Sequence, residues 1–150
     1  MGQVFESASL EKLSGLAARF PEGVRPSATD IAAWTPAETL VFLQRVPRPL
    51  PHAACAALDG LLRLSTQGNW ELLAEWLAIA AASDYEPAFP RLRDVLGSVG
   101  RMKYLRPLYN ALGATPRTRA LAREIYAGAK PRMHVLSRRV VESVLAAHPS

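Results

Sequence analysis

Apolar residues recur along this chain at intervals of three and four rather than at every second position, the spacing of helices that each bury one face. Leu10, Leu13, Leu16, Ala17 and Phe20 predict a first helix, closed by Pro21 and Gly23, after which Pro26 opens a short connection. Thr35, Pro36 and Glu38 form a T-x-x-E capping box with proline at the first helical position, so a helix starts there and runs through Leu40, Leu43 and Val46. The stretch Pro47 to Pro51 forbids continuous helix, yet Pro51 suits the first turn of the next one, through Ala54, Leu58, Leu61 and Leu62.

Turn chemistry at Ser65 to Asn69 precedes a strongly apolar helix with Trp70, Leu73, Trp76, Leu77 and Ala80 on one face, ended by Ser83 and Asp84. Phe89, Leu92, Val95, Leu96 and Val99 mark the next helix, whose first turn accommodates Pro87 and Pro90. A helix over Met102 to Leu112 is expected to stop at Gly113 in a left-handed cap, and Thr115 with Pro116 opens another through Leu121, Ile125 and Tyr126. The last helix starts near His134 and is expected to turn Leu136, Val140, Val144 and Leu145 inward. Seven or eight helices with short connections predict an all-α fold, antiparallel helix pairs stacked as a small HEAT- or armadillo-like α-α superhelix, in a single domain over residues 1–150. No repeat of fixed period is legible, so a compact irregular bundle is the structural alternative.

Composition adds two exclusions: 49% apolar and 21% charged residues rule out disorder, and one cysteine, Cys55, can form neither an intramolecular disulfide nor a zinc cluster. The longest apolar stretches, such as Leu77 to Ala82, are far too short to span a bilayer, and no basic-then-apolar leader pattern opens the chain, so a soluble, cytoplasmic protein is expected. The net charge of +5 conceals an asymmetry. Residues 1–90 carry six Lys or Arg against ten Asp or Glu, whereas residues 91–150 carry twelve against three. The positive field of the second part should attract a carboxylate, an acidic surface or nucleic acid.

His52, His134 and His148 are scattered, and none belongs to an H-E-x-x-H helix motif; nucleophile elbows and phosphate-binding loops are absent as well. Each histidine therefore reads as a satisfied or exposed side chain. Trp34, Trp70 and Trp76 read as packing residues, the latter two sharing a face with leucines. The segment that resists such a reading is Gly100-Arg101-Met102-Lys103-Tyr104-Leu105-Arg106-Pro107-Leu108-Tyr109. Arg101 and Lys103 fall at a predicted helix start, where unpaired N–H groups and the macrodipole are already positive, so they point to capture of a carboxylate or phosphate. Arginine offers a planar fork and lysine a point charge, which together orient one anionic group.

This segment closely resembles the G-R-M-K-[FY]-x-R-P-L-[FY] string in the C-terminal domain of leukotriene A4 hydrolase and related M1-type zinc aminopeptidases. Trp34, Leu40 to Gln44, Pro49-Leu50-Pro51, Asn69 to Trp76, Tyr85-Glu86-Pro87-Ala88 and Met133-His134 extend the resemblance over about Leu10 to Leu145. Val135 stands where the family usually has proline. The resemblance implies an all-helical domain that packs on the catalytic domain of the same polypeptide and closes one side of the substrate cleft. Its Arg and Lys, at the positions of Arg101 and Lys103, would hold the carboxylate of a peptide substrate. The catalytic zinc and its H-E-x-x-H ligands would lie in the preceding domain, with no cofactor and no catalysis in this segment alone. Tyr104 and Tyr109 are expected to pack, and Arg106 to form a structural salt bridge. The competing functions are a helical-repeat module that binds nucleic acid through the basic region, with Gly97-Ser98-Val99-Gly100 superficially like a K-homology loop that lacks its strands, and a free-standing scaffold that binds a partner protein through its apolar faces.

Overall fold

The computed structural model describes residues 7–64, 68–98 and 102–148, and every regular element among them is helical. Nine α-helices are described: α1 Ser7–Arg19, α2 Ala28–Ala33, α3 Pro36–Arg45, α4 His52–Leu62, α5 Trp70–Ala82, α6 Phe89–Ser98, α7 Met102–Leu112, α8 Pro116–Ala129 and α9 Val135–Ala147. Short 3-10 turns at Phe20–Glu22, Glu86–Ala88 and Lys130–Arg132 adjoin α1, α6 and α8. The all-helical class expected from the apolar spacing is therefore the fold. The chain forms two compact units, Met1–Glu75 and Trp76–Ser150, and α5 runs across the boundary.

In the N-terminal unit α1 packs chiefly on α3, its next neighbour but one. Leu13 and Ala17 from α1 are buried, as are Phe42 and Leu43 from α3. Phe20 meets the Phe42 ring edge-on at 5.9 Å, and Trp34 lies 5.0 Å from Phe42. Full burial of each phenylalanine contributes about 1.5–3 kcal/mol. Arg25 stands over the Phe20 ring and donates to the Phe20 carbonyl at 2.5 Å. Helix α2 was not legible from apolar spacing, because none of its residues is buried; a Ser27–Asp30 capping box starts it instead. The Thr35–Glu38 box at the start of α3 is present as predicted, with the Thr35 N–H donating to Glu38 at 2.9 Å and the Glu38 N–H to Thr35 at 3.1 Å. The turn expected over Ser65 to Asn69 lies partly outside the described residues.

In the C-terminal unit α6 packs on α8 and α7 on α9, again skipping one helix, the layering of a stacked α-α arrangement. The direction of α7 and α9 follows from their ends. His148, the C-cap of α9, lies with its Nε2 3.2 Å from the Asn110 side-chain oxygen in the last turn of α7, so the two helices run the same way. Helix α8, joined to each by a short connection and packed on both, returns between them. The antiparallel succession expected for helix pairs is thereby met in this unit.

Gly113 departs from expectation: its φ is not positive, and Gly23 at φ 100 is the left-handed glycine among the described residues. Glycine suits position 113 because the His148 ring lies against it, where a Cβ would clash. Asp84 does adopt the left-handed conformation, at φ 53, where the chain leaves α5. Arg117 from the first turn of α8 holds that turn through Asp84 at 2.8 Å and Glu86 at 2.6 Å.

Candidate functional site

The site begins with why α7 stays where it does. Tyr104, Leu105, Leu108, Tyr109 and Leu112 fall at helical intervals and are all buried, so one face of α7 is fixed against its neighbours. Its other face, with Arg106, Pro107 and Asn110, is exposed. Tyr104 and Tyr109 thus pack as expected. Pro107 lacks an N–H and leaves the Lys103 carbonyl without its partner one turn up the helix.

Lys103 lies in the first turn of α7, which starts at Met102 and contains no acid. Its side chain and all of Arg101 and Gly100 lie outside the described residues. The helix mouth itself is positive, since its first N–H groups have no intrahelical acceptor and its first turn contains no acid to offset the dipole. Arg106 is exposed on the same helix and forms no ion pair among the described residues, so the salt bridge expected of it is not made there.

Each acid of this unit after residue 90 is engaged by a neighbouring group. Of the acids after residue 90, Asp94 is engaged by Arg91, Glu124 by Arg93 at 2.8 Å, and Glu142 by the Tyr126 hydroxyl at 2.5 Å and Lys130 at 4.0 Å. Arg93 holds the Glu124 carboxyl below its ordinary range. Burial first, and then the bond to Glu142, push the Tyr126 phenol up to about 12. Burial also pushes the Tyr109 phenol up, and its hydroxyl has no partner among the described residues. Arg106, Arg132 and Arg139 are exposed and without an ion pair among the described residues.

The histidines behave as packing and capping groups. The His134 ring nitrogen Nδ1 accepts from the Leu136 N–H at 3.1 Å and caps α9, while His148 joins Asn110. Among the described residues no three His, Cys, Asp or Glu side chains lie close enough together to hold a metal ion, so these donors do not fit one. No helix among them is long and apolar enough to cross a membrane.

Apolar periodicity misplaced one feature. Leu136, expected inside, is 51% exposed, and Val135 beside it is 46% exposed. Val144 is buried as expected and Val140 and Leu145 are half-buried, while Ser137 and Val141 complete the buried face of α9. Apolar residues stand on two adjacent faces at the start of this helix, and spacing alone cannot choose between them.

Next-but-one packing, α1 on α3 in one unit and α6 on α8 and α7 on α9 in the other, defines the class as an all-helical domain of stacked α-α type. The chain belongs to the family "Leukotriene A4 hydrolase, C-terminal", which it matches over residues 34–145. It is 38% identical to leucine aminopeptidase 2 of Neurospora crassa over 128 residues, covering 80% of this chain and 18% of that protein. It is 30% identical to aminopeptidase B of Mus musculus over 123 residues, covering 79% of this chain and 19% of that one. The structure of yeast LTA4 hydrolase in complex with bestatin superposes with a TM-score of 0.76 at 22% identity, over 97% of this chain and 27% of that chain, a likeness of fold. The chain therefore spans about a fifth of the length of the curated relatives it matches.

Proposed function

We propose that this chain serves as the C-terminal helical domain of a cytoplasmic, leukotriene A4 hydrolase-like zinc aminopeptidase, in which it packs on the catalytic domain and positions the carboxylate of a peptide substrate. Arg101 supplies the fork and Lys103 the point charge, at a helix start whose N–H groups add to the same field. The observation that carries the reading is the Gly100-Arg101-Met102-Lys103-Tyr104 string leading into α7, whose first turn is basic and free of acid. Fixing the carboxyl end of a short peptide sets how far its amino end reaches, and that distance selects the bond presented for cleavage. The segment performs no cleavage by itself, and the zinc belongs to the preceding catalytic domain.

The test compares Arg101→Ala and Lys103→Ala in the enzyme that carries this domain, using tripeptides as free acids and as C-terminal amides. Loss of one charge-assisted hydrogen bond costs about 1.5–3 kcal/mol, so KM for the acid rises ~10- to 100-fold while the amide is unaffected. Equal KM values for wild type and variants on the free acid would remove both residues from substrate binding.

A further inference from the structure

We infer that the groove between α6 and α8 binds short zwitterionic peptides in extended form, with the amino end on Glu86 and the carboxyl end on Arg132. The groove uses neither Arg101 nor Lys103, so it stands or falls without the proposed carboxylate grip.

Two hollows open between these helices. The first, of about 660 Å³, is walled by Phe89, Pro90 and Arg93 on one side and by Arg117, Leu121 and Glu124 on the other. The second, of about 340 Å³, lies between Gly97 and Gly128, with Ile125 and Arg132 in its lining, and shares Arg93 and Glu124 with the first. Early residues of α6 face early residues of α8, and late face late, so the two helices run the same way and the hollows form one groove. They join where Arg93 reaches across to Glu124 at 2.8 Å. From Arg117 to Gly128 the rise along α8 is about 16 Å, at 1.5 Å per residue. An extended peptide of about six residues, rising ~3.3 Å at each, covers that length.

The groove is apolar along its floor and oppositely charged at its ends. Leu121 and Ile125 are buried in its lining, and Phe89 is half-buried. At the first end Arg117 is fully engaged: Nε donates to Asp84 at 2.8 Å, Nη1 to Glu86 at 2.6 Å and Nη2 to the Asp84 carbonyl at 3.2 Å, with the guanidinium over the Phe89 ring. Two carboxylates around one cation leave this end net negative. Glu86 is 69% exposed and has one oxygen without a partner among the described residues. At the other end Arg132 is exposed and forms no ion pair among the described residues, its guanidinium 3.8 Å from where a Cβ on Gly97 would stand. Midway, Arg93 donates through Nη1 alone and Glu124 accepts through Oε1 alone, which leaves donors on one and an acceptor on the other for a peptide backbone. Gly97 and Gly128 present no side chain, so a ligand backbone can approach closely.

The order of charges selects the ligand. Nucleic acid would set its phosphates against Asp84 and Glu86. A basic segment would be repelled at Arg132, and a neutral apolar molecule would leave both charged ends without a role. A peptide with an ammonium group at one end and a carboxylate at the other satisfies both, and its amides match the Arg93–Glu124 crossing. The helix dipoles oppose this order, but they amount to about half a charge at each end and fade within a turn, against full charges at the rim. Exposed ion pairs contribute little, so Glu86 and Glu124 take a further partner at small cost.

The probe is the hexapeptide Ala-Leu-Ala-Ala-Leu-Ala, whose only charges are its two ends, added to the 150-residue chain and followed by the backbone amide signals. Those of Gly97, Ala120 and Gly128 should move together on one saturating curve. Acetylating the amino end or amidating the carboxyl end should each weaken binding ~5-fold. Arg132→Glu should weaken the free peptide to the same extent and remove the penalty for amidation, with an unchanged thermal midpoint, since Arg132 is exposed and unpaired among the described residues. Gly128→Leu fills the far hollow and should abolish binding; the open space around Gly128 lets the fold accept it. Arg101→Ala/Lys103→Ala should leave the affinity as it is, which separates the groove from the carboxylate grip. Binding lost in that double variant would overturn the inference, as would equal affinity for the peptide blocked at both ends, amide shifts that survive Gly128→Leu, or no saturable shift at Gly97, Ala120 and Gly128.

Discussion

Helix starts differ between the two units. In the N-terminal unit α2 and α3 each place an acid in the first turn, Asp30 and Glu38, and close it into a capping box; α5, which begins there, carries Glu71. In the C-terminal unit α6, α7, α8 and α9 have no acid in their first turns. Helix α8 completes its box with Thr118, and α9 is capped by a histidine. Acid-capped starts satisfy their own N–H groups and offset their dipoles, whereas a start without acid leaves its field available to an outside anion. Helices α1 and α4 of the N-terminal unit also lack a first-turn acid, so the contrast lies between the acid-bearing starts of α2, α3 and α5 and the C-terminal unit, where no start has one; the proposed function puts only the start of α7 to use.

Exchanging charges between the two kinds of start produces the largest expected effect. Lys103→Glu gives α7 the acid it lacks and should raise KM for free-acid tripeptides ~100-fold, since it deletes a charge-assisted bond and adds repulsion. Thermal stability should hold or rise, by about 0.5 kcal/mol. The converse change, Glu38→Lys in α3, breaks a complete box and should cost about 1 kcal/mol in chemical denaturation, with no effect on KM. A destabilised Lys103→Glu protein with normal KM would dissolve the contrast.

Two glycines sharpen it in packing terms. An alanine Cβ at Gly113 would clash with the His148 ring, so Gly113→Ala should cost about 1–3 kcal/mol, and adding His148→Ala should relieve the clash. Gly60, within α4 of the N-terminal unit, has open space around it, and Gly60→Ala should stabilise by about 1 kcal/mol. Urea denaturation of the two variants and the double variant measures these differences.

Titration gives a smaller and more local signal. All four tyrosines lie in the C-terminal unit, so tyrosinate absorbance reports on that unit alone. Tyr126 is raised by burial and by Glu142 from 10.0 to about 12, so its stabilising contribution is whole below pH 10 and is lost as pH climbs through 12. Tyr126→Phe should delete an absorbance step near the upper value; an unchanged titration curve would contradict that environment. Asp30, lowered chiefly by Lys12 and then by Ser27, and Glu124, lowered by Arg93, work in the opposite sense. Their contributions are present above the ordinary carboxylate range and fade as pH falls below it. Both are exposed enough that their replacement by amides should move the acid midpoint only slightly.

Local signals account for most of what was legible in the sequence. The Thr35–Glu38 box, the proline punctuation and the apolar face of α7 each specify an element without reference to its neighbours, and each is found. What failed depended on contacts distant in sequence. Gly113 read as a left-handed cap because nothing local announces that His148, thirty-five positions on, packs against it. Leu136 read as core because α9 opens with apolar residues on two faces, and packing decides which is covered. The α2 helix buries nothing, so only its Ser27–Asp30 box could have revealed it. The candidate site was visible as a string of residues, Arg101 to Tyr109, whereas the exposure of Val135 and Leu136 was not.

The most direct test of the basic helix mouth is a nuclear magnetic resonance titration of the 150-residue chain with an N-acetylated tripeptide, once as the free acid and once as the amide. The account predicts that the backbone N–H signals of Met102, Lys103 and Tyr104 move with the free acid, remain still with the amide, and lose the response in Arg101→Ala/Lys103→Ala. Identical responses to acid and amide, or shifts confined to other helices, would contradict it.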